Sequence, residues 1–161
     1  MKQKLIQATS VFMNHNALLI TGKPGIGKSS LAMQLIDRMA TLISDDVTHL
    51  SLDNQGRLLA SPISSMKGCV ELRNIGILTN QPYFERKIVS CIIRLTDEKL
   101  ERLPEPQYQE ILGVRVRCFD LNPDDRFLEL KAIKAFEIAT GEEKTLLDLS
   151  QIKQNKIQYE K

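Results

Sequence analysis

Ala17-Leu18-Leu19-Ile20-Thr21-Gly22-Lys23-Pro24-Gly25-Ile26-Gly27-Lys28-Ser29-Ser30-Leu31-Ala32 is the stretch that decides the fold. Residues 17–21 form an apolar run that enters a glycine-rich loop directly, as a buried strand would. From Lys28 the period changes. Leu31, Ala32, Leu35, Ile36 and Met39 recur at intervals of three and four, which is one face of a helix. The loop itself, Gly22-Lys23-Pro24-Gly25-Ile26-Gly27-Lys28-Ser29, has the Gly-x-x-x-x-Gly-Lys-Ser pattern between a strand and a helix, the context that a phosphate-binding loop requires. Glycines let backbone N–H groups converge on phosphate oxygens without a Cβ in the way. The helix start adds its positive end. Lys28 supplies a full charge for the β and γ phosphates, and the Ser29 hydroxyl can ligate magnesium. Residues 22–30, from Gly22 through Ser30, are therefore the expected nucleotide site, with ATP and magnesium as ligands.

Working outward, residues 8–13 alternate as a strand, and Asn14-His15-Asn16 is turn material. Leu42-Ile43 ends in Ser44-Asp45-Asp46, where a carboxylate could reach the metal. If the backbone there is extended, the two carboxylates point to opposite faces and can do different work. The alternative is a solvated turn with an Asx bond. Residues 47–52 and 57–60 read as a hairpin around Asp53-Asn54-Gln55-Gly56. Glu71 lies in the apolar segment Cys69-Val70-Glu71-Leu72. It is either a buried carboxylate that needs a cation or an edge residue paired with Arg73. Residues 87–95 are a further strand, 97–103 a helical turn before Pro104-Glu105-Pro106, 108–121 mostly extended, and 127–139 a helix capped by Asp124-Asp125. Many strands and few helices predict an α/β or α+β layer with a mixed β-sheet carrying the P-loop.

Composition excludes several classes. Lys and Arg number 22 and Asp and Glu 20, so the net charge is +2, too small to point to nucleic acid. Tryptophan is absent, and no apolar run is long enough for a membrane span. The first residues lack the apolar stretch of a signal peptide, and a cytoplasmic protein is the expectation. Cys69, Cys91 and Cys118 fit neither a disulfide framework nor a zinc site and are expected in strands as small apolar residues. His15 and His49 have no site constellation around them. The whole chain, 1–161, reads as a single P-loop kinase domain, with a polar tail over 141–161 expected to fray.

The region 8–121 resembles the catalytic domain of HPr kinase/phosphorylase, the bacterial enzyme family that phosphorylates a serine of the carrier protein HPr. It is most similar to the short proteobacterial form. The segments that carry the likeness are 19–29 with Leu31-Ala32 and Leu35-Ile36-Asp37-Arg38; Leu42-Ile43-Ser44-Asp45-Asp46; Val70-Glu71-Leu72-Arg73-Asn74-Ile75-Gly76-Ile77; and Glu101-Arg102-Leu103-Pro104-Glu105-Pro106 with Leu112-Gly113-Val114. The resemblance implies a mixed-sheet kinase fold related to phosphoenolpyruvate carboxykinase, a hexamer, and an HPr-like partner. It implies that Lys28 binds the triphosphate, that Ser29 and Glu71 hold magnesium, and that Asp46 is the general base for the serine hydroxyl. Asp45 would stand beside it near the metal, and Arg102 would help hold the transferring charge. Three departures stand out. The family's catalytic histidine falls on Gln7, its Arg-Gly pair reads Arg73-Asn74, and no Pro-Gly-Arg-Asn stretch tied to the reverse reaction appears, with Val116-Arg117-Cys118-Phe119 in roughly its place. They argue against phosphorylase activity. Gln7 favours a second reading, a nucleotide-binding sensor with little or no transferase activity, whereas residues 71–77 argue against a third, an unrelated P-loop kinase for a small molecule.

Overall fold

The computed structural model describes residues 2–149. Its strands are β1 (Gln3–Gln7), β2 (Thr9–Met13), β3 (Asn16–Thr21), β4 (Thr41–Ser44), β5 (Val47–Leu52), β6 (Leu58–Pro62), β7 (Val70–Leu72), β8 (Gly76–Leu78), β9 (Lys87–Leu95), β10 (Gln107–Ile111) and β11 (Val114–Leu121). Its helices are α1 (Lys28–Asp37) and α2 (Leu128–Thr140). Nine strands form one sheet in the order β1-β5-β6-β9-β3-β2-β4, with β11 joined to β9 and β10 to β11. β3 and β11 both run parallel to β9, and the other pairs are antiparallel. This is the mixed α/β sheet that the sequence predicts.

Ala17–Ile20 of β3 and Cys91-Ile92-Ile93 of β9 read as apolar runs because both faces are covered there. Leu18 and Ile20 of β3 pack with Cys91, Ile93 and Leu95 of β9 under Leu31 and Leu35 of α1 and Phe136 of α2. Ala17, Leu19, Val89 and Ile92 face the other way, against Leu50, Leu58, Ala60 and Val116. Each buried leucine contributes roughly 1.5–3 kcal/mol relative to exposure. The P-loop strand is therefore held in the middle of the molecule, and the loop hangs from a rigid edge of the core.

The turns follow their residue types. Asn14 (φ 43°) and His15 (φ 73°) make a two-residue hairpin between β2 and β3, with Met13 paired to Asn16. Asp125 Oδ1 accepts the Phe127 N–H at 2.8 Å just before α2, but Phe127 itself is the N-cap and no side chain caps the helix, so the capping expected of Asp124-Asp125 is not found. Three further expectations need correction. Met39 lies outside the apolar face. Residues 35–40 close α1 in a Schellman arrangement, with Met39 N–H on Ile36 C=O and Ala40 N–H on Leu35 C=O, and Met39 itself left-handed and exposed. Residues 97–103 form no helical turn, because the segment is exposed and irregular. Cys69 sits before β7 rather than in a strand, half-buried, whereas Cys91 and Cys118 are buried in β9 and β11. The tail is helical again over 146–149, where Thr145 and Asp148 cap each other and Asp148 pairs with Arg117 of β11 at 2.8 Å. The rest of the tail lies outside the described residues.

Candidate functional site

The loop between β3 and α1 is shaped by close approach. At Gly22 (φ 141°) a Cβ would lie 2.7 Å from the Leu95 carbonyl at the end of β9, so the loop leaves the sheet against its neighbour's last residue. At Gly25 (φ 76°) a Cβ would lie 2.7 Å from Arg73 Nη2. The Arg73 guanidinium therefore sits over the loop, carried there by the turn between β7 and β8. Gly27 stands at the helix N-terminus with φ 112°. Lys28 is buried, and its Nζ donates to the carbonyls of Gly22 at 3.0 Å and Lys23 at 3.1 Å. Lys23 is exposed and pairs with Asp97, which holds the Asp97 carboxyl below the usual carboxylate range. Pro24, Gly25 and Ser30 are exposed, while Ile26 and Ser29 are partly covered.

Asp45 organises the centre. It is buried. Its Oδ1 accepts the Ser29 hydroxyl at 2.6 Å and the Thr9 hydroxyl at 2.9 Å, and its Oδ2 accepts the Glu71 backbone N–H at 2.9 Å. One carboxylate thus draws together the P-loop helix, β2, β4 and β7. Asp46, the next residue, is exposed and left-handed (φ 62°). The Val47 N–H donates to the Asp45 carbonyl at 2.7 Å, so the chain turns tightly around Asp46. The backbone is not extended there, yet the two carboxylates are still separated: one faces inward and the other outward.

Glu71 is exposed, and it touches the cluster through its backbone N–H. No ion pair joins it to Arg73 among the described residues, and Arg73 turns toward Gly25 instead. Asn74 takes φ 67°, a conformation its type accepts. Arg102 lies exposed in the irregular segment between β9 and β10. No hydrogen bond or ion pair brings it to the loop among the described residues. From the same segment Asp97 reaches the P-loop, at Lys23. Gln7 is exposed and pairs with Val47 across from β5, not with the end of β3. Sequence reasoning missed Thr9 and Asp97, and gave Arg73 to the wrong partner. Thr9 carries no signal beyond a strand threonine, whereas Arg73 lies inside the motif that contains Glu71.

The family model for the HPr Serine kinase C-terminal domain matches residues 2–124. An HPr kinase/phosphorylase from Leptothrix cholodnii is 35% identical over 121 residues, covering 66% of this chain and 37% of the relative. One from Lachnoclostridium phytofermentans is 32% identical over 115 residues, covering 65% and 37%. The chain thus spans little more than a third of the length of these curated relatives. The solved Hpr(Ser) kinase/phosphatase from Coxiella burnetii superposes with a TM-score of 0.69 at 27% identity, over 81% of this chain and 87% of that one. The family model spans most of the chain, and the chain belongs to the HPr Serine kinase C-terminal domain family.

Proposed function

We propose that this chain is an ATP- and magnesium-dependent protein-serine kinase acting on an HPr-like phosphocarrier. The observation that carries the reading is the contact between Ser29 and Asp45, which sets a P-loop hydroxyl against a buried carboxylate while Asp46 beside it stays open to solvent. The loop suits a triphosphate. Glycine backbone lines it, the helix N-terminus ends in it, and the cations Lys28 and Arg73 meet at it. Ser29 and Glu71 are the residues that would hold magnesium, with Asp45 fixing the Ser29 rotamer. Bound magnesium supplies charge neutralisation on the β and γ phosphates.

In this reading Lys28 exchanges its two carbonyl partners for phosphate oxygens. Asp46 takes the proton of the incoming serine hydroxyl. The serine oxygen forms its bond to the γ phosphorus as the bond to the β–γ bridging oxygen breaks, and ADP leaves with that electron pair. Arg73 neutralises charge where Arg102 was expected to do so. The cytoplasmic location and the hexamer belong to the same proposal. A second reading, a nucleotide-binding sensor with weak or no transferase activity, is favoured by one feature: Gln7 places no titratable group beside the Asp45–Asp46 turn. Incubation with labelled ATP, magnesium and HPr from the same genome tests the two. Phosphoserine on HPr supports the kinase. Saturable nucleotide binding without phosphoserine supports the sensor.

A further inference from the structure

The strands on either side of the Asp45–Asp46 turn form one interrupted ladder. The register that pairs Ser10 with Ser44 also pairs Gln7 with Val47. Carried through the gap, it sets Thr9 opposite Asp45 and Ala8 opposite Asp46. Thr9 is fully buried at this gap. Its Oγ1 donates to Asp45 Oδ1 at 2.9 Å and accepts the Asp46 backbone N–H at 3.4 Å. A hydroxyl has one proton and two acceptor lone pairs, so it can do both at once. On the far side of the turn, Ser44 Oγ donates to the Val47 carbonyl at 2.6 Å. A left-handed aspartate costs on the order of 1 kcal/mol and persists only when its surroundings fix it. Thr9 and Ser44 are the side chains that do so.

We infer that Thr9 is a positioning residue for phosphoryl transfer. Its hydroxyl keeps the Asp45 carboxylate turned toward Ser29 and holds the backbone turn that presents Asp46 to the acceptor. The inference rests on the kinase reading for its effect on rate, and on the geometry alone for its effect on the turn. Without the hydroxyl, Asp45 loses one of its three donors, and the Asp46 N–H loses its partner. Val at this position has nearly the same shape and no hydroxyl, while Ser keeps the hydroxyl and loses only a methyl group.

The test compares the full chain with Thr9→Val, Thr9→Ser and Thr9→Ala, the last in case a β-branched apolar residue disturbs folding. Four readouts are taken: steady-state phosphorylation of HPr, ATP affinity, thermal stability, and NMR amide exchange at Asp46 and Glu71, whose N–H groups both bond within this cluster. Thr9→Val should lower kcat by about tenfold or more. Its ATP affinity should stay within about threefold of the parent, and its Asp46 amide should exchange several times faster. Thr9→Ser should keep the parental kcat and exchange. A Thr9→Val protein, or Thr9→Ala where that one folds better, with parental kcat and parental Asp46 exchange would overturn the inference. So would a loss of stability with kcat unchanged, which is what a purely structural threonine gives. If the parent itself transfers no phosphate, the kinase reading fails, and the Asp46 amide still decides the role of Thr9.

Discussion

The Ser29 hydroxyl lies 2.6 Å from Asp45 Oδ1, although the two residues are 16 positions apart and belong to different elements. That bond joins the first turn of the P-loop helix to the end of β4. Asp45 accepts three hydrogen bonds and is buried, so replacing one oxygen by an amide leaves at least one donor facing another donor. Asp45→Asn should therefore lower stability by roughly 1–3 kcal/mol. A shift of the urea midpoint with an unchanged slope is the expected result.

Lys28 is buried and donates to two loop carbonyls, the partners that phosphate oxygens would replace in the proposed site. Lys28→Ala should weaken ATP binding by at least about tenfold, or about 1.4 kcal/mol. Calorimetry with magnesium present measures this. Unchanged affinity would remove the loop from nucleotide binding.

Arg73 and Arg102 separate cleanly by position. Arg73 covers Gly25, whereas Arg102 is exposed in an irregular segment. Arg73→Ala should reduce ATP affinity or transfer by about tenfold, the scale of a charge-assisted contact to phosphate. Arg102→Ala should leave nucleotide affinity within about twofold. The reverse order of effects would mean that the segment 96–106 moves onto the loop when substrates bind.

The parts of the fold legible in the sequence are those where one physical demand dominates. The centres of β3 and β9 are buried on both faces, so Ala17–Ile20 and Cys91-Ile92-Ile93 are apolar. The P-loop needs glycine and a lysine in fixed places. The Asn14-His15 turn needs positive φ. β1 was invisible because it is largely exposed, and only its ladder with β5 defines it. For the same reason the partner of Gln7 does not follow from the β2–β3 hairpin: the chain changes partners at Ala8, and Gln7 pairs with Val47. Lys28 and Ser29 are legible from the spacing of the glycine loop, and Asp45-Asp46 from their place after an apolar run, while the roles given to the two aspartates rest on the resemblance. Arg73 and Thr9 do not, because the contacts that matter join residues far apart in sequence.

Asp148 gives a pH signature for the docked tail. Burial raises its carboxyl, but the Thr145 and Arg117 bonds outweigh it, and the net value lies below the ordinary one. A folded value below the unfolded value of about 3.9 stabilises the protein fully above that pH, and the contribution fades as pH falls through the folded value. Asp148→Asn should lower the melting temperature at pH 7, and the gap to the parent should narrow below about pH 4. Equal gaps at pH 7 and pH 3 would show that the carboxylate charge is not what holds the tail.

The most direct measurement is single-turnover transfer from ATP to HPr by the parent and by Asp46→Asn, with phosphoserine as the readout and ATP affinity measured on both. Asp46 is exposed beside a buried, fully bonded Asp45, so its carboxylate is the one free to take a proton. The parent should phosphorylate HPr on serine, and Asp46→Asn should bind ATP equally well and transfer about 10²- to 10⁴-fold more slowly. Parental transfer by Asp46→Asn, or no transfer by the parent despite tight ATP binding, would contradict the assignment of a kinase site built on Asp46.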